Sequence, residues 1–138
     1  MQTIFAIAAG GAIGALLRHF LNSGVSHIVG TGFPWGIMLV NIIGSFAMGV
    51  LITWFALAGE APQAMRAFLT VGLLGAFTTF SAFSLDAVAL FERGAVVAAG
   101  LYVGGSVLLA IGALVAGIAV GFVVGDMTGI ELAPPTDG

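Results

Sequence analysis

Four long runs of apolar residues divide the chain, and short polar stretches separate them. The runs extend over Ile4–Leu21, Trp35–Leu57, Met65–Phe91 and Ala95–Val124. An apolar run of about 18 residues or more is typical of a helix that spans a lipid bilayer. The pattern therefore predicts an all-α integral membrane protein with four transmembrane helices, and the fourth is long enough to tilt or protrude.

Turn-forming residues mark the ends of these runs. We interpret Asn22–Phe33 as a polar connection, and Pro34 stands where the second helix would begin, since proline is favoured in a first helical turn. Gly59–Pro62 has the composition of a turn. Residues 1–125 are therefore predicted to form one four-helix transmembrane domain, and residues 126–138 a polar C-terminal tail that we expect to be disordered.

The composition of the chain supports the same class. Of its 138 residues, 60% are hydrophobic and 7% are charged, whereas about 25% are charged in a typical soluble domain. The absence of cysteine excludes thiol chemistry and disulfides, and three arginines without a basic run argue against nucleic-acid binding. The first residues lack a positive region, so we read them as the start of the first span rather than a signal peptide. We expect a multi-pass protein of the cell (inner) membrane.

The three arginines give very little topology signal. Positive charges in short loops set the orientation of membrane proteins. Arg66 borders a connection on the side of the N-terminus, Arg93 lies on the opposite side, and Arg18 is near that opposite end of the first span. So weak a bias allows insertion in both orientations, and hence an antiparallel homodimer. A single orientation with a weak signal is the alternative.

Glycine and alanine recur every four positions in two of the spans. Small residues at this spacing let helix backbones approach closely within a membrane. The sequence leaves open whether the contacts lie within one chain or between two chains. The residues are Gly10 and Gly14, and then Ala113, Gly117, Gly121 and Gly125.

Polar residues at membrane depth favour a permeation pathway over catalysis. The two histidines, His19 and His27, have no cysteine partner or metal-ligand spacing, and no nucleophile motif is visible. Polar groups inside a membrane are costly and usually face a cavity or a partner. Their amides and hydroxyls can donate hydrogen bonds, which suits a small anion that has lost its water. The candidates are Arg18, Asn41, Thr78, Thr79, Ser81, Ser84, Asp86, Tyr102 and Ser106.

The middle of the third run is unusual for a span. Gly72–Ser84 contains two glycines and four hydroxyl residues, which predicts a helix break around Gly75. Irregular backbone at this depth survives only where it is buried or lines water, and its carbonyls can hold a cation. An unbroken helix with a glycine-rich face is the alternative. Phe80 and Phe83 are three positions apart and share a helix face; their positive ring edges would attract an anion, although plain packing is the alternative.

These segments resemble the CrcB/Fluc family of fluoride channels. Gly72–Ser84 is similar to the family's third-span motif G-x-x-G-x-x-T-T-F-S-T-F-S. Gly10–Arg18 resembles the first-span pattern G-G-x-x-G-A-x-x-R, and Pro34–Gly49 resembles the second-span pattern G-T-L-x-V-N-x-x-G-x-x-x-x-G. The resemblance extends from about Gly10 to Ser106, and the third-span motif is its most specific part.

The resemblance implies a passive, fluoride-selective channel that exports fluoride from the cytoplasm and so reduces its toxicity. It also implies a dual-topology homodimer with two pores and a structural sodium ion at its centre. Gly75 and Thr78 would offer backbone carbonyls to sodium, and Arg18 would lie in an aqueous vestibule. The residues expected along the fluoride path are Asn41, Phe80, Phe83, Thr79, Ser81, Ser84, Tyr102 and Ser106.

The chain departs from the family pattern at a few positions. Ile37, Ala82 and Ala110 stand where relatives carry hydroxyl residues, and Asp86 stands where the family often has glutamate. These changes would shorten the polar path without removing the two phenylalanines.

Two other functions remain open on the residues alone. A proton-coupled exporter of the small multidrug type also has four spans, but it needs a carboxylate deep in the first span, which this chain lacks. A membrane scaffold without transport would use the same polar residues only as hydrogen bonds between helices, and it would tolerate Asn41→Leu.

Overall fold

The computed structural model describes residues 1–59 and 61–128, and this part of the chain is helical throughout apart from short connections. Its elements are α1 (Gln2–Val29), α2 (Trp35–Leu57), α3 (Gln63–Arg66), a π-helical segment (Ala67–Leu74), α4 (Gly75–Phe77), α5 (Phe80–Glu92) and α6 (Val96–Met127). The elements from Gln63 to Glu92 form the third span. With α1, α2 and α6, the described residues contain four helical stretches long and apolar enough to cross a membrane, which confirms the predicted four-span, all-α membrane architecture.

The helix bounds follow the apolar runs, with one clear error at the end of the first. The second helix has the predicted bounds and follows Pro34. The predicted polar connection from Asn22 is wrong as far as Val29, because α1 continues through it. Gly36, near the start of α2, packs against Asn22, so the last two turns of α1 project beyond that contact. Because these turns do not pack against α2, their polar residues do not end the helix.

The fourth helix is also longer than its apolar run. It ends at Met127 and therefore includes the first two residues of the predicted polar tail. The expectation of disorder for residues 129–138 lies outside the described residues.

Glycines bring α1 and the first half of the third span into backbone contact. A Cβ atom on Gly10 would collide with the carbonyl oxygen of Phe68, and one on Gly14 would collide with that of Leu73. A Cβ atom on Gly72 would lie 2.8 Å from the carbonyl oxygen of Ile7. A side chain larger than hydrogen would force these helices apart, and dispersion contacts of this kind hold helices together in lipid.

A second set of glycines joins α2 to α6 in parallel. A Cβ atom on Gly117 would collide with the carbonyl oxygen of Phe46, and one on Gly125 would collide with the Leu57 side chain. Together with Gly10 and Gly14, these residues therefore pack against helices of the same chain. The sequence pattern had left that choice open.

The two helices also share a buried hydroxyl. Thr53 is 3% exposed and lies against Gly121. Its hydroxyl donates to the Gly49 carbonyl at 3.0 Å and approaches the Ile118 carbonyl at 3.4 Å. The polar group is thus satisfied inside an apolar contact.

Candidate permeation site at the broken third span

The third span is interrupted at Thr78 and Thr79. Both residues are extended, with φ/ψ of −75°/155° and −152°/125°, and the helix resumes at Phe80. Gly75 keeps helical angles of −64°/−36°, so the break lies three residues after the glycine around which it was predicted. A π-helical segment precedes it, and such wide turns are frequent at functional sites.

Asn41 on α2 satisfies the backbone at this break. Its side-chain amide donates to the Thr79 carbonyl at 3.0 Å, and its side-chain oxygen accepts from the Thr79 amide at 2.8 Å. Backbone groups without partners are very costly at membrane depth. The single asparagine thus replaces both helical hydrogen bonds of one residue and holds the broken conformation.

The two threonine side chains complete the break. The Thr78 hydroxyl donates to the Leu74 carbonyl at 2.9 Å. The Thr79 hydroxyl accepts from the Ala82 amide at 3.2 Å, which makes it the N-cap of α5, and it lies 3.3 Å from the Ser81 hydroxyl. The N-terminal end of α5, with its partial positive charge, therefore faces the interior of the span.

A cavity of about 370 Å³ opens beside the break. Seven of the residues predicted as pore or sodium residues line it, so the fold brings most of the predicted set together. The lining also includes three positions that the sequence-based set of site residues omitted: Ser45, Val107 and Ala110. The full lining is Asn41, Ser45, Gly75, Thr78, Thr79, Phe80, Phe83, Ser106, Val107 and Ala110.

Phe80 and Phe83 lie side by side with very different exposure. Their ring centroids are 5.5 Å apart. Phe83 is 8% exposed and stacks near Tyr102 at 5.3 Å, whereas Phe80 is 78% exposed. In this chain, the Phe83 ring belongs to the core, and the Phe80 ring lies on the surface at the edge of the cavity.

Tyr102 and Ser106 lie one turn apart on α6, and both are buried. The Tyr102 hydroxyl donates to the Asp86 carboxylate at 3.3 Å. Tyr102 does not line the cavity. The Ser106 hydroxyl, by contrast, has no hydrogen-bond partner among the described residues. Buried polar groups are normally paired, so Ser106 offers an unused donor at the cavity wall.

The remaining predicted residues lie outside the cavity lining. Ser84 donates to the Phe80 carbonyl at 2.9 Å within α5, and Ser81 is exposed beside Thr79. Arg18 is half-buried on α1. The fold of the chain does not bring these three side chains to the cavity.

Ser45 could have been found from the sequence by helical spacing. It follows Asn41 by four positions, so both side chains are on one face of α2. Ala110 follows Ser106 by the same interval on α6. The signal was weak because a single serine in a span most often bonds to its own helix.

A profile of the family described as "CrcB-like protein, Camphor Resistance (CrcB)" matches residues 5–118. This match includes the break, Asn41 and all of the cavity lining. The chain belongs to the CrcB family. Membership agrees with the resemblance that its three motifs carry, and it extends that resemblance over most of the four spans.

Curated members of this family match the chain over nearly their whole length. A protein of Rhodospirillum centenum named "Fluoride-specific ion channel FluC" is 52% identical over 119 residues, which cover 86% of this chain and 94% of the relative. A protein of the same name from Methylobacterium nodulans is 50% identical, covering 87% and 96%. "Fluoride-specific ion channel FluC 1" of Nitrobacter hamburgensis is 49% identical, covering 83% and 91%.

Proposed function

We propose that this chain is a passive, fluoride-selective ion channel of the cell (inner) membrane. The observation that carries the proposal is its near-full-length identity of about one half to proteins named as fluoride-specific channels. The geometry agrees with that role, because a cavity whose lining includes an amide and hydroxyls lies beside broken backbone within a protein of four apolar spans. A channel makes and breaks no covalent bonds, so no catalytic residue is assigned.

The donors around the cavity can replace part of the hydration of a small anion. Asn41 and Ser106 supply an amide and a hydroxyl, and the N-terminal end of α5 adds the partial positive charge of unpaired amides. The phenylalanine rings can present positive edges to the ion. Fluoride is compact and gains most from close, fixed partial charges, whereas a larger anion gains less at each contact.

The direction of transport follows from the membrane potential. A potential that is negative inside favours exit of an anion by about 2.3 kcal/mol per charge for each 100 mV. A passive pathway therefore exports fluoride from the cytoplasm without an energy source, and this keeps its toxic effect low.

The surface of one subunit favours assembly with a second copy. Phe80 is 78% exposed beside a cavity lined by an amide and hydroxyls, and lipid is a poor partner for such groups. Leu74, the neighbour of Gly75 in the chain, lines a separate apolar groove of about 560 Å³ together with Trp54, Leu69 and Gly125. In an antiparallel homodimer, a two-fold axis near the break would carry α5 of each copy towards the groove of the other.

The carbonyl groups at the break fit a sodium ion at the centre of such a dimer. The Thr79 amide would donate to the Gly75 carbonyl in a continuous helix, but it donates to Asn41 instead. Gly75 is exposed and lines the cavity. Oxygen dipoles of unwound helices bind monovalent cations in membrane proteins. Gly75 and Thr78 of both copies would hold the ion, which would fix the two breaks against each other.

Fluoride release from liposomes tests the channel. Purified protein is reconstituted into liposomes loaded with potassium fluoride, valinomycin is added so that potassium carries the balancing charge, and a fluoride electrode follows release. We expect rapid release of fluoride, no release of chloride from liposomes loaded with potassium chloride, and no effect of an imposed proton gradient. Folded protein that releases no fluoride would contradict the proposal, and release that requires a proton gradient would point to a coupled exporter.

Single cysteines test the dual topology. The chain has no cysteine of its own, so Thr31→Cys, in the connection between α1 and α2, adds one reactive group. In intact cells an impermeant maleimide should label about half of the protein if both orientations occur at equal frequency. Labelling of all or none of the protein would contradict the antiparallel arrangement.

A further inference from the structure

The hydroxyl groups of the spans divide into two classes by their hydrogen bonds. Thr53, Thr70, Thr78 and Ser84 each donate to the carbonyl four positions earlier. This is the usual arrangement of an isolated hydroxyl within a helix, and it leaves no hydrogen for a ligand. The Thr78 hydroxyl therefore lines the cavity with its donor already used.

Two hydroxyls at the cavity do not follow this rule. Neither Ser45 nor Ser106 donates a hydrogen bond to any group among the described residues. The Thr79 hydroxyl accepts from the Ala82 amide and shares a second hydrogen bond with the Ser81 hydroxyl. On α2 and α6, the side-chain donors that remain for an ion are Ser45, Ser106 and the second amide hydrogen of Asn41, whose first is bound to the Thr79 carbonyl.

The register between α2 and α6 gives the depth of each donor. Thr53 lies against Gly121, and Leu57 lies against Gly125, so the two parallel helices keep a constant offset over this turn. If the same offset between α2 and α6 holds towards the start of both helices, Ser106 lies at the level of Met38. Gly105 precedes Ser106 in the chain, and a Cβ atom placed on it would lie 3.2 Å from the Met38 side chain, in agreement with this register.

The donors therefore follow one another along the span. Ser106 comes first, Asn41 follows, and Ser45 lies about 6 Å beyond Asn41, since a helix rises 1.5 Å per residue. Ala110 falls between the last two on the opposite wall and has no polar group. Without Ser45, the walls that α2 and α6 contribute to the cavity would offer an anion no hydrogen-bond donor beyond Asn41.

We propose that the Ser45 hydroxyl binds the permeating fluoride below Asn41 and supplies the donor that Ala110 does not. This inference rests on the proposed channel function and extends it by one residue. A hydrogen bond to a charged group is among the stronger ones in proteins, and an ion that has left Ser106 and Asn41 would otherwise be unpaired at membrane depth.

Fluoride release from liposomes tests this role with Ser45→Ala, alone and combined with Ala110→Ser. Alanine favours helix more than serine does, so the single variant is expected to fold, which size-exclusion chromatography checks. We expect release to slow about tenfold, equivalent to a barrier higher by about 1.4 kcal/mol. Ala110→Ser should restore most of the rate, because it returns a hydroxyl to the opposite wall between the levels of Asn41 and Ser45.

Thr70→Ala is the matched control, since its hydroxyl is bound to the Arg66 carbonyl and the residue is not part of the cavity lining. It should release fluoride at the original rate. If the original protein conducts and Ser45→Ala conducts equally well, the role of Ser45 is overturned while the channel stands. A slow Ser45→Ala that Ala110→Ser does not improve also overturns it, because the missing hydroxyl would not be the cause. An original protein that releases no fluoride overturns both proposals.

Discussion

The two halves of the third span are built from similar apolar residues but make different contacts. Before the break, the backbone lies directly against α1, because Gly10, Gly14 and Gly72 allow no side chain between the helices. After the break, α5 leaves Phe80 78% exposed and Leu85 69% exposed. The first half is closed against α1 by this backbone contact, whereas the second presents Phe80 and Leu85 outward.

The difference arises at Thr78 and Thr79 rather than in the hydrophobicity of either half. A continuous helix would use its own amides and carbonyls and would leave Asn41 without a partner. The break instead assigns the Thr79 backbone to Asn41, which redirects α5 and opens the cavity. A single polar side chain on a neighbouring helix therefore determines where packing ends and the candidate site begins.

Removing Asn41 should have the largest effect. Asn41→Leu leaves the amide and carbonyl of Thr79 without partners, at a cost of about 1–3 kcal/mol for each buried group. We expect fluoride release to be abolished and thermal unfolding in detergent to occur at lower temperature. Asn41→Asp retains the acceptor for the Thr79 amide but places a negative charge in the path, so it should abolish release with less loss of stability. A scaffold would tolerate both changes, and normal release in either variant would contradict the assignment.

Changing the exposed ring should separate function from folding. Phe80→Ile removes the aromatic edge from a side chain that contributes little to the core of one subunit. We expect fluoride release to be abolished while the protein remains folded, as measured by liposome release and size-exclusion chromatography. Phe5→Ile is a matched control, because Phe5 on α1 is 69% exposed. Equal release from the two variants would show that Phe80 acts only as apolar surface.

Adding a methyl group to the closed half should destabilise it. In Gly14→Ala the new Cβ atom would collide with the Leu73 carbonyl, which belongs to the backbone and cannot rotate away. Overpacking of this kind costs about 1–3 kcal/mol, which denaturation in detergent would measure. Gly11→Ala meets nothing within 4 Å and should stabilise the helix by about 0.5–1 kcal/mol. Equal changes in stability for Gly14→Ala and Gly11→Ala would contradict the close backbone contact inferred at Gly14.

Two threonines that make the same type of hydrogen bond should differ slightly in their contribution to the stability of the protein. Thr78→Val removes the bond to the Leu74 carbonyl at the break, and Thr70→Val removes the equivalent bond to the Arg66 carbonyl in the closed half. We expect a loss of about 0.5–1.5 kcal/mol at Thr78 and almost none at Thr70, where the bond is exposed. Unfolding in detergent checks both. The reverse order would indicate that the break is held by Asn41 alone.

The sequence predicted the spans well because hydrophobic runs are a local property. Trp35–Leu57 matches α2 at both ends, since Pro34 and the turn after Leu57 limit it. The end of α1 was wrong because Ser23, Ser26 and His27 resemble a loop by composition, yet a helix that projects from the packed region accepts polar residues. The break near Gly75 was predicted from unusual glycine and hydroxyl content, but its position depended on a bond to another helix.

The residues of the candidate site were predicted mainly from motifs. Local sequence patterns determined less about the site than about the spans. They included Asn41, Thr79 and Phe83, which line one cavity in the structure. They did not include Ser45 among the site residues, because the cavity forms only when α2 and α6 are parallel and in the register set by their glycines. They also gave Phe80 and Phe83 a shared face, whereas the packing against Tyr102 buries only Phe83.

The sequence by itself determined that this protein is a four-span membrane protein with polar groups at membrane depth, since burial of about twenty apolar residues in lipid outweighs any other local preference. The tertiary structure decided which glycines pack against helices of the same chain, which hydroxyls remain free to donate, and which phenylalanine faces outward. Those outcomes depend on which helix lies opposite each residue. A spacing of four positions defines a face of a helix, but it carries no information about the partner of that face.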